Sequence, residues 1–295
     1  MHRVFTSRAA RSRYNAAVPE GDTIHKIADR LAPQLVGKTL ERVTTQGLLR
    51  GLAGRTVARV AAHGKHLVIE LDDGTYLRTH LGMNGRFRGY PRAEGDAALA
   101  RMSPGRASLA LTTADGVYVW IGARTVEVSP RRAPMHGRAI ASLGPDVLGE
   151  GFDPAGAAAR AAGQPARAIG DALLDQRIAA GIGNVYKSEV LFLRGVDPRT
   201  RVGGLAAAQL AAIYATAREV MLANLGPGAR TTRGDLAGEI PPSDDERYFV
   251  YGRSGKPCRR CERAIEVYRL GDPPRWTWSC PRCQGVSPGG VTRSG

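Results

Sequence analysis

Cysteine is scarce in this chain of 295 residues: four occur, all between residues 258 and 283. Everything upstream must fold without a disulfide, which excludes the disulfide-dense secreted scaffolds. Also missing are the apolar core of a secretory leader and any run of about eighteen apolar residues, so neither an export signal nor a membrane-spanning helix is legible. No segment joins a strong apolar stripe to a dense basic face, which disfavours a membrane-surface helix. Lysine is rare too, and the formal net charge of +15 and pI near 10.3 rest almost wholly on arginine. A basic excess of this size points to a polyanionic partner, nucleic acid ahead of membrane. Arginine, alanine and glycine are abundant together, as a GC-rich coding sequence produces, so charge alone does not fix the partner.

The four cysteines form two knuckles, Cys258-x-x-Cys261 and Cys280-x-x-Cys283, eighteen residues apart. Four soft ligands at this spacing suit one tetrahedral structural zinc ion in a ribbon, with no organic cofactor implied. Two disulfides are the alternative, and the lack of any oxidising-compartment signature argues against them.

Length allows two domains and a small appendage. Residues 1–18 are basic, acid-free and aperiodic, and read as a disordered extension or as upstream sequence that is not translated. From residue 22, Ile24, Ile27, Leu31 and Leu35 recur at helical spacing, with Asp22 or Thr23 available as N-cap. Apolar or alternating runs then follow at His66–Leu71, Tyr76–Met83, Ser108–Thr112, Val117–Ile121 and Thr125–Val128, the first two joined by an Asp73-Gly74 turn. These runs predict a β-sandwich over residues 19–145 and a linker over 146–154. Alanine-rich helical stretches at 155–162, 168–180 and 204–224 predict a helical domain over 155–247, with 230–247 as a polar loop. The zinc module takes 248–285, and a flexible tail 286–295. The fold class is α+β multidomain: an N-terminal β-sandwich with a flanking helix, a helical domain, and a C-terminal zinc-ribbon hairpin.

The stretch Ala16-Ala-Val-Pro-Glu-Gly-Asp-Thr-Ile24 carries the chemistry. A proline that begins a chain has a secondary amine able to form an iminium with an aldehyde-like carbon; a proline inside a chain does not. An α-amino group titrates near pH 8, so about a tenth is neutral at pH 7, against a few parts in ten thousand for lysine. Glu20 beside it is placed to act as general acid and base.

Pro19-Glu-Gly-Asp-Thr-Ile-His25 resembles the start of the formamidopyrimidine-DNA glycosylase and endonuclease VIII family, whose mature chains begin with Pro-Glu. Three further stretches match in the same order: His63-Gly-Lys-His-Leu67, then Leu173-Leu-Asp-Gln-Arg177 through Gly181-Ile-Gly-Asn-Val-Tyr186, then Tyr251-Gly-Arg253 to Cys258 with Arg275-Trp-Thr-Trp-Ser-Cys280. The resemblance covers residues 19–284 and makes the helical domain a helix–two-turn–helix domain. It implies that Val18 is a GTG start codon whose removal exposes Pro19. It makes Pro19 the Schiff-base nucleophile, Glu20 the acid, Lys65 a strand-borne phosphate contact, and Asn184, Arg275 and Gln176 contacts to DNA. Met83 resembles the apolar wedge that fills the gap left by a flipped base.

The implied activity is base excision repair: a bifunctional DNA glycosylase and AP lyase acting as a monomer on double-stranded DNA with oxidised bases or abasic sites, cytoplasmic and nucleoid-associated in a bacterium. The Asp-x-Arg-Arg-Phe-Gly loop of formamidopyrimidine-DNA glycosylases is absent from Tyr118–Val128, which points toward endonuclease VIII and oxidised pyrimidines, with oxidised purines as the alternative. A retained N-terminal extension would instead leave a damaged-DNA-binding protein without lyase chemistry. A zinc-ribbon RNA binder fits the charge but gives the Pro-Glu-Gly-Asp and Gly-Ile-Gly-Asn segments no purpose.

Overall fold

The computed structural model describes residues 18–45, 51–129, 140–236 and 243–285; the extension and the C-terminal tail expected at the two ends lie outside them, apart from Val18. Two compact units result: Thr23–Ala141 with the chain up to Pro19, and Ser142–Gly295 with Glu20–Asp22.

The first unit is a sandwich of two four-stranded antiparallel sheets, β1-β6-β7-β5 and β2-β3-β4-β8. The strands are β1 (Arg42–Thr45), β2 (Val57–His63), β3 (His66–Leu71), β4 (Tyr76–His80), β5 (Arg86–Pro91), β6 (Ala107–Thr112), β7 (Gly116–Ile121) and β8 (Thr125–Ser129). Leu67, Ile69, Leu71 and Leu77 from one sheet meet Leu109, Leu111 and Trp120 from the other, and helix α1 (Gly21–Leu35) adds Ile24, Ile27, Leu31 and Leu35 to the same core. The helix starts one or two residues before the expected cap: Gly21 is its first residue, and Asp22 sits in the first turn. Strand β7 is buried on both faces because a second helix, α2 (Arg92–Ala100), lies on the outer side of its sheet. Gly95 permits that approach, since a Cβ there would stand 2.4 Å from the Cβ of Val117. Strand β4 stops at His80 rather than running to Met83, because Gly82 turns the chain at φ +69.

The second unit holds α3 (Pro154–Ala162), α4 (Ile169–Leu174), α5 (Asn184–Leu193) and α6 (Ala207–Ala223), followed by the hairpin β9 (Glu266–Leu270) and β10 (Arg275–Ser279). Its core joins Ala157 and Ala161, Leu173, Tyr186 and Val190, and Ile213, Tyr214 and Met221 from the four helices in turn. Three expectations change here. Residues 146–154 are no linker, since Val147, Leu148 and Phe152 are buried in that core. The helix expected over 168–180 ends at Leu174 because Asp175 leaves helical geometry at ψ 104 and takes hydrogen bonds from the backbone and side chain of Arg177. The stretch 230–247, expected as a polar loop, buries Arg230 and Thr232.

Candidate active site and metal centre

Glu20 is 1 % exposed although it is a carboxylate. Its Oε2 accepts from the amides of Gly183 (2.9 Å) and Tyr186 (3.4 Å), and its Oε1 from that of Val185 (2.8 Å). These amides open α5, where unpaired N–H groups and the helix dipole stabilise negative charge. Only glycine fits at 183, because a Cβ would lie 2.3 Å from the Glu20 Cδ. The same loop meets Gly21, whose amide donates to the carbonyl of Gly181 at 3.0 Å. The free amides of this helix start are therefore taken by Glu20. Oε1, with one amide donor, keeps a second lone pair at which a proton can be moved. Pro19, half-buried, is bonded directly to this fixed residue.

Beside Glu20, Asp22 forms a two-pronged pair with Arg230, at 2.9 Å from Nε and 2.6 Å from Nη2, both side chains 2 % exposed. Arg230 also lies over the Tyr186 ring at 5.3 Å. Burial holds the Tyr186 hydroxyl well above its ordinary range, so it stays protonated. Gln176 ties the loop: its Nε2 donates to the carbonyls of Leu174 and Ile182 at 2.9 Å each, and its Oε1 accepts from Gly181 at 3.0 Å.

Asn184 donates from Nδ2 to the Trp276 carbonyl at 2.9 Å, on the strand whose first residue is the exposed Arg275. Lys187, one turn further along α5, reaches the same carbonyl at 3.3 Å and the Thr277 hydroxyl at 2.6 Å. Burial lowers the Lys187 ammonium to about 8. Glu189, fully buried, accepts from the amides of Phe249, Val250 and Tyr251 at 2.7–2.8 Å and from the Thr232 hydroxyl. Sequence reasoning missed Lys187, Glu189 and Arg230; for the first two the signal available was charged residues inside an otherwise apolar helix, and for Arg230, outside any helix, there was none.

The four cysteines lie with all Sγ atoms within 4.8 Å of one another, Cys258 to Cys283 at 3.8 Å and Cys261 to Cys280 at 3.4 Å. A zinc tetrahedron with Zn–S of about 2.3 Å has edges of about 3.8 Å, so the donor set fits one such ion. Amides of Arg260 and Cys283 point at Cys258 and Cys280 at 3.4 Å, as thiolate ligands require. Gln284 closes the knuckle, accepting from the Cys280 amide at 2.8 Å and donating to the Val196 carbonyl at 2.9 Å.

In the first unit, Lys65 sits at the tip of the β2–β3 hairpin rather than on a strand, because Gly64 takes the left-handed first turn position at φ +55. His66 and His80, paired across β3 and β4, lie with ring centroids 4.8 Å apart and planes tilted by 50° at the same end. Burial, with Lys65 and Arg78 nearby, lowers His66 to about 3 and His80 to about 4. The His80 Nδ1 accepts from the Gly82 amide at 3.0 Å. Met83 follows and is 62 % exposed, which rules out a core role. The connection from β7 to β8 is only Gly122-Ala-Arg124, with no room for a base-reading loop. Among the described residues no helix is long and apolar enough to cross a membrane.

Residues 18–125 match the model of the formamidopyrimidine-DNA glycosylase N-terminal domain, and 143–235 that of the formamidopyrimidine-DNA glycosylase H2TH domain. A Streptomyces coelicolor protein described as probable endonuclease 8 2 is 38 % identical over 286 residues, 93 % of this chain and 98 % of its own. The DNA-(apurinic or apyrimidinic site) lyase Nei2 of Mycolicibacterium smegmatis is 36 % identical over 273 residues, 92 % of this chain and all of that one. Among solved structures, the MutM (Fpg) protein of Thermus thermophilus superposes with a TM-score of 0.71 at 28 % identity, over 92 % of this chain and 100 % of that one. Lactococcus lactis Fpg, non-covalently bound to DNA containing an AP site, superposes at 0.73 and 22 % identity, over 90 % and 100 %. The chain belongs to the formamidopyrimidine-DNA glycosylase and endonuclease VIII family, with the endonuclease VIII type among its near relatives.

Proposed function

We propose that this protein is a bifunctional DNA glycosylase and AP lyase of base excision repair, acting in the bacterial cytoplasm as a monomer on double-stranded DNA with oxidised or missing bases. The carrying observation is the seating of Glu20 on the amides of Gly183, Val185 and Tyr186, which fixes the residue bonded to Pro19. With its nitrogen free, Pro19 attacks C1′ of the damaged nucleotide, and the base leaves with the glycosidic electrons. Glu20 protonates the ring oxygen, giving an iminium to the opened sugar, and β- and δ-eliminations expel the two flanking phosphates. Lys65, Asn184 and Arg275 hold phosphates, Met83 fills the vacated stack, and one zinc ion on Cys258, Cys261, Cys280 and Cys283 keeps the hairpin of Arg275 folded. Oxidised pyrimidines are the preferred lesions, supported by the three-residue connection where a cytosine-reading loop would stand and by relatives described as endonuclease 8.

The test is borohydride trapping on abasic-site and thymine-glycol duplexes, comparing the chain from Met1 with one initiated at codon 18 whose mass confirms a free Pro19. Covalent adduct from the shorter chain alone is expected. Equal trapping by both, with the longer chain's mass intact, would move the nucleophile to a lysine; trapping by neither would leave a damaged-DNA-binding protein.

A further inference from the structure

On the outer face of the sheet β1-β6-β7-β5, away from the core it shares with its partner sheet, four arginines converge. Arg86 and Arg88 project from edge strand β5, while Arg101 and Arg106 come from the segment joining α2 to β6. Together with Tyr90 and Ser103 they line a cavity of about 270 Å³ in which no carboxylate takes part. The register explains the convergence: Arg86 pairs with Ile121, and Ile121 with Ala107, so residues 86, 88 and 90 share the outer face with the apolar patch of Val117, Val119 and Ile121 beneath α2. Asp96 and Glu41 are engaged on the opposite flank of α2, where Asp96 pairs with Arg42 at 2.6 Å and with Arg92 at 2.7 Å, and Glu41 also pairs with Arg92.

We propose that this arginine pocket is a second nucleic-acid contact, holding backbone phosphates of the duplex independently of any lesion. The cavity is smaller than the roughly 300 Å³ at which small-molecule pockets begin, too small to enclose a nucleotide yet suited to phosphate groups of a polymer lying across it. Guanidinium groups grip phosphate through paired N–H donors, and Arg86 and Arg88 stand about 6.6 Å apart along an extended strand, so they reach successive sites rather than one. Strand β5 begins three residues after Met83, so the pocket opens at the sandwich end that also carries Lys65 and His80. This inference rests on the reading of the chain as a DNA enzyme.

The experiment measures salt-dependent binding of an undamaged duplex of about 30 base pairs by the shorter chain and by its Arg101→Ala/Arg106→Ala variant. The variant is expected to bind roughly tenfold more weakly at about 0.1 M salt, with a log–log slope shallower by about two counterions. Arg101→Lys/Arg106→Lys should restore the slope, which damage to the fold would prevent. Borohydride trapping at saturating enzyme should stay at the parent level. An unchanged slope in the alanine variant overturns the proposal, as does competition by polyglutamate as strong as that by duplex, which would mark an acidic peptide site. Absence of trapping by the parent chain with a free Pro19 would instead refute the enzymatic reading, whatever the slopes.

Discussion

Among the described residues of the first unit, Lys26 and Arg78 are the charged side chains less than a tenth exposed; in the second unit Glu20, Asp22, Lys187, Glu189, Arg230 and Arg253 are buried still further. The sandwich closes over leucine, isoleucine and a tryptophan. The helical unit folds around carboxylates and cations that reach between distant segments: Asp22 to Arg230 across 208 residues, Glu189 to Val250 across 61. Apolar packing tolerates approximate fit, whereas a buried ion must meet its partner or carry its desolvation cost alone. The second unit is therefore the more exactingly specified of the two.

Removing one partner gives the largest effect. Arg230→Ala should destabilise the protein by about 3–5 kcal/mol in urea unfolding at pH 7, with Asp22→Leu/Arg230→Met recovering most of it. Full stability in the single variant would erase the contrast between the units.

Lys187 sharpens the contrast through pH. Its folded value near 8 lies below the ordinary 10.5, so the unfolded chain binds more protons between these limits. Stability should therefore rise with pH by about 3 kcal/mol from 8 to 10.5 relative to Lys187→Met, which lacks the group. Parallel urea midpoints of the two proteins across that window would show that the amine is not desolvated.

The smallest expected effect lies in the sandwich. His66 and His80 are neutral in the fold well below their ordinary value of 6.5, so stability is lost as pH falls from 6.5 toward 4. His66→Gln should lessen that loss by about 1–2 kcal/mol at pH 5. A larger rescue than the Lys187 effect would place the strained charges in the first unit instead.

How much of this could be read beforehand divides along the same line. The cysteine knuckles, the Gly181-Ile-Gly183 turn and the strands β3, β4, β6 and β7 were legible, because ligand type, backbone freedom and apolar runs are local properties. Strand β5 was hidden because Arg86 and Arg88 occupy the outward positions where its sheet carries the arginine pocket. Strand β2, Val-Ala-Arg-Val-Ala-Ala-His, alternates too weakly to declare itself, and α2 has nine residues with Gly95 at its contact point. The roles of Gln176, Lys187 and Arg230 escaped because nothing in their immediate neighbours names the backbone carbonyl or distant carboxylate each one meets. Asn184 and Arg275 were singled out from motif position, while the anchoring of the Trp276 carbonyl by Asn184 was not foreseen.

That anchoring has an evolutionary reading. Asn184 and Lys187 both grip residue 276 by its main-chain oxygen, and the indole, half-exposed beside the Arg269 guanidinium, takes no part in the grip. Any side chain at 276 leaves the hairpin tethered. Position 276 is thus open to drift, and a library of substitutions there would vary the surface next to Arg275 without loosening the module that presents it.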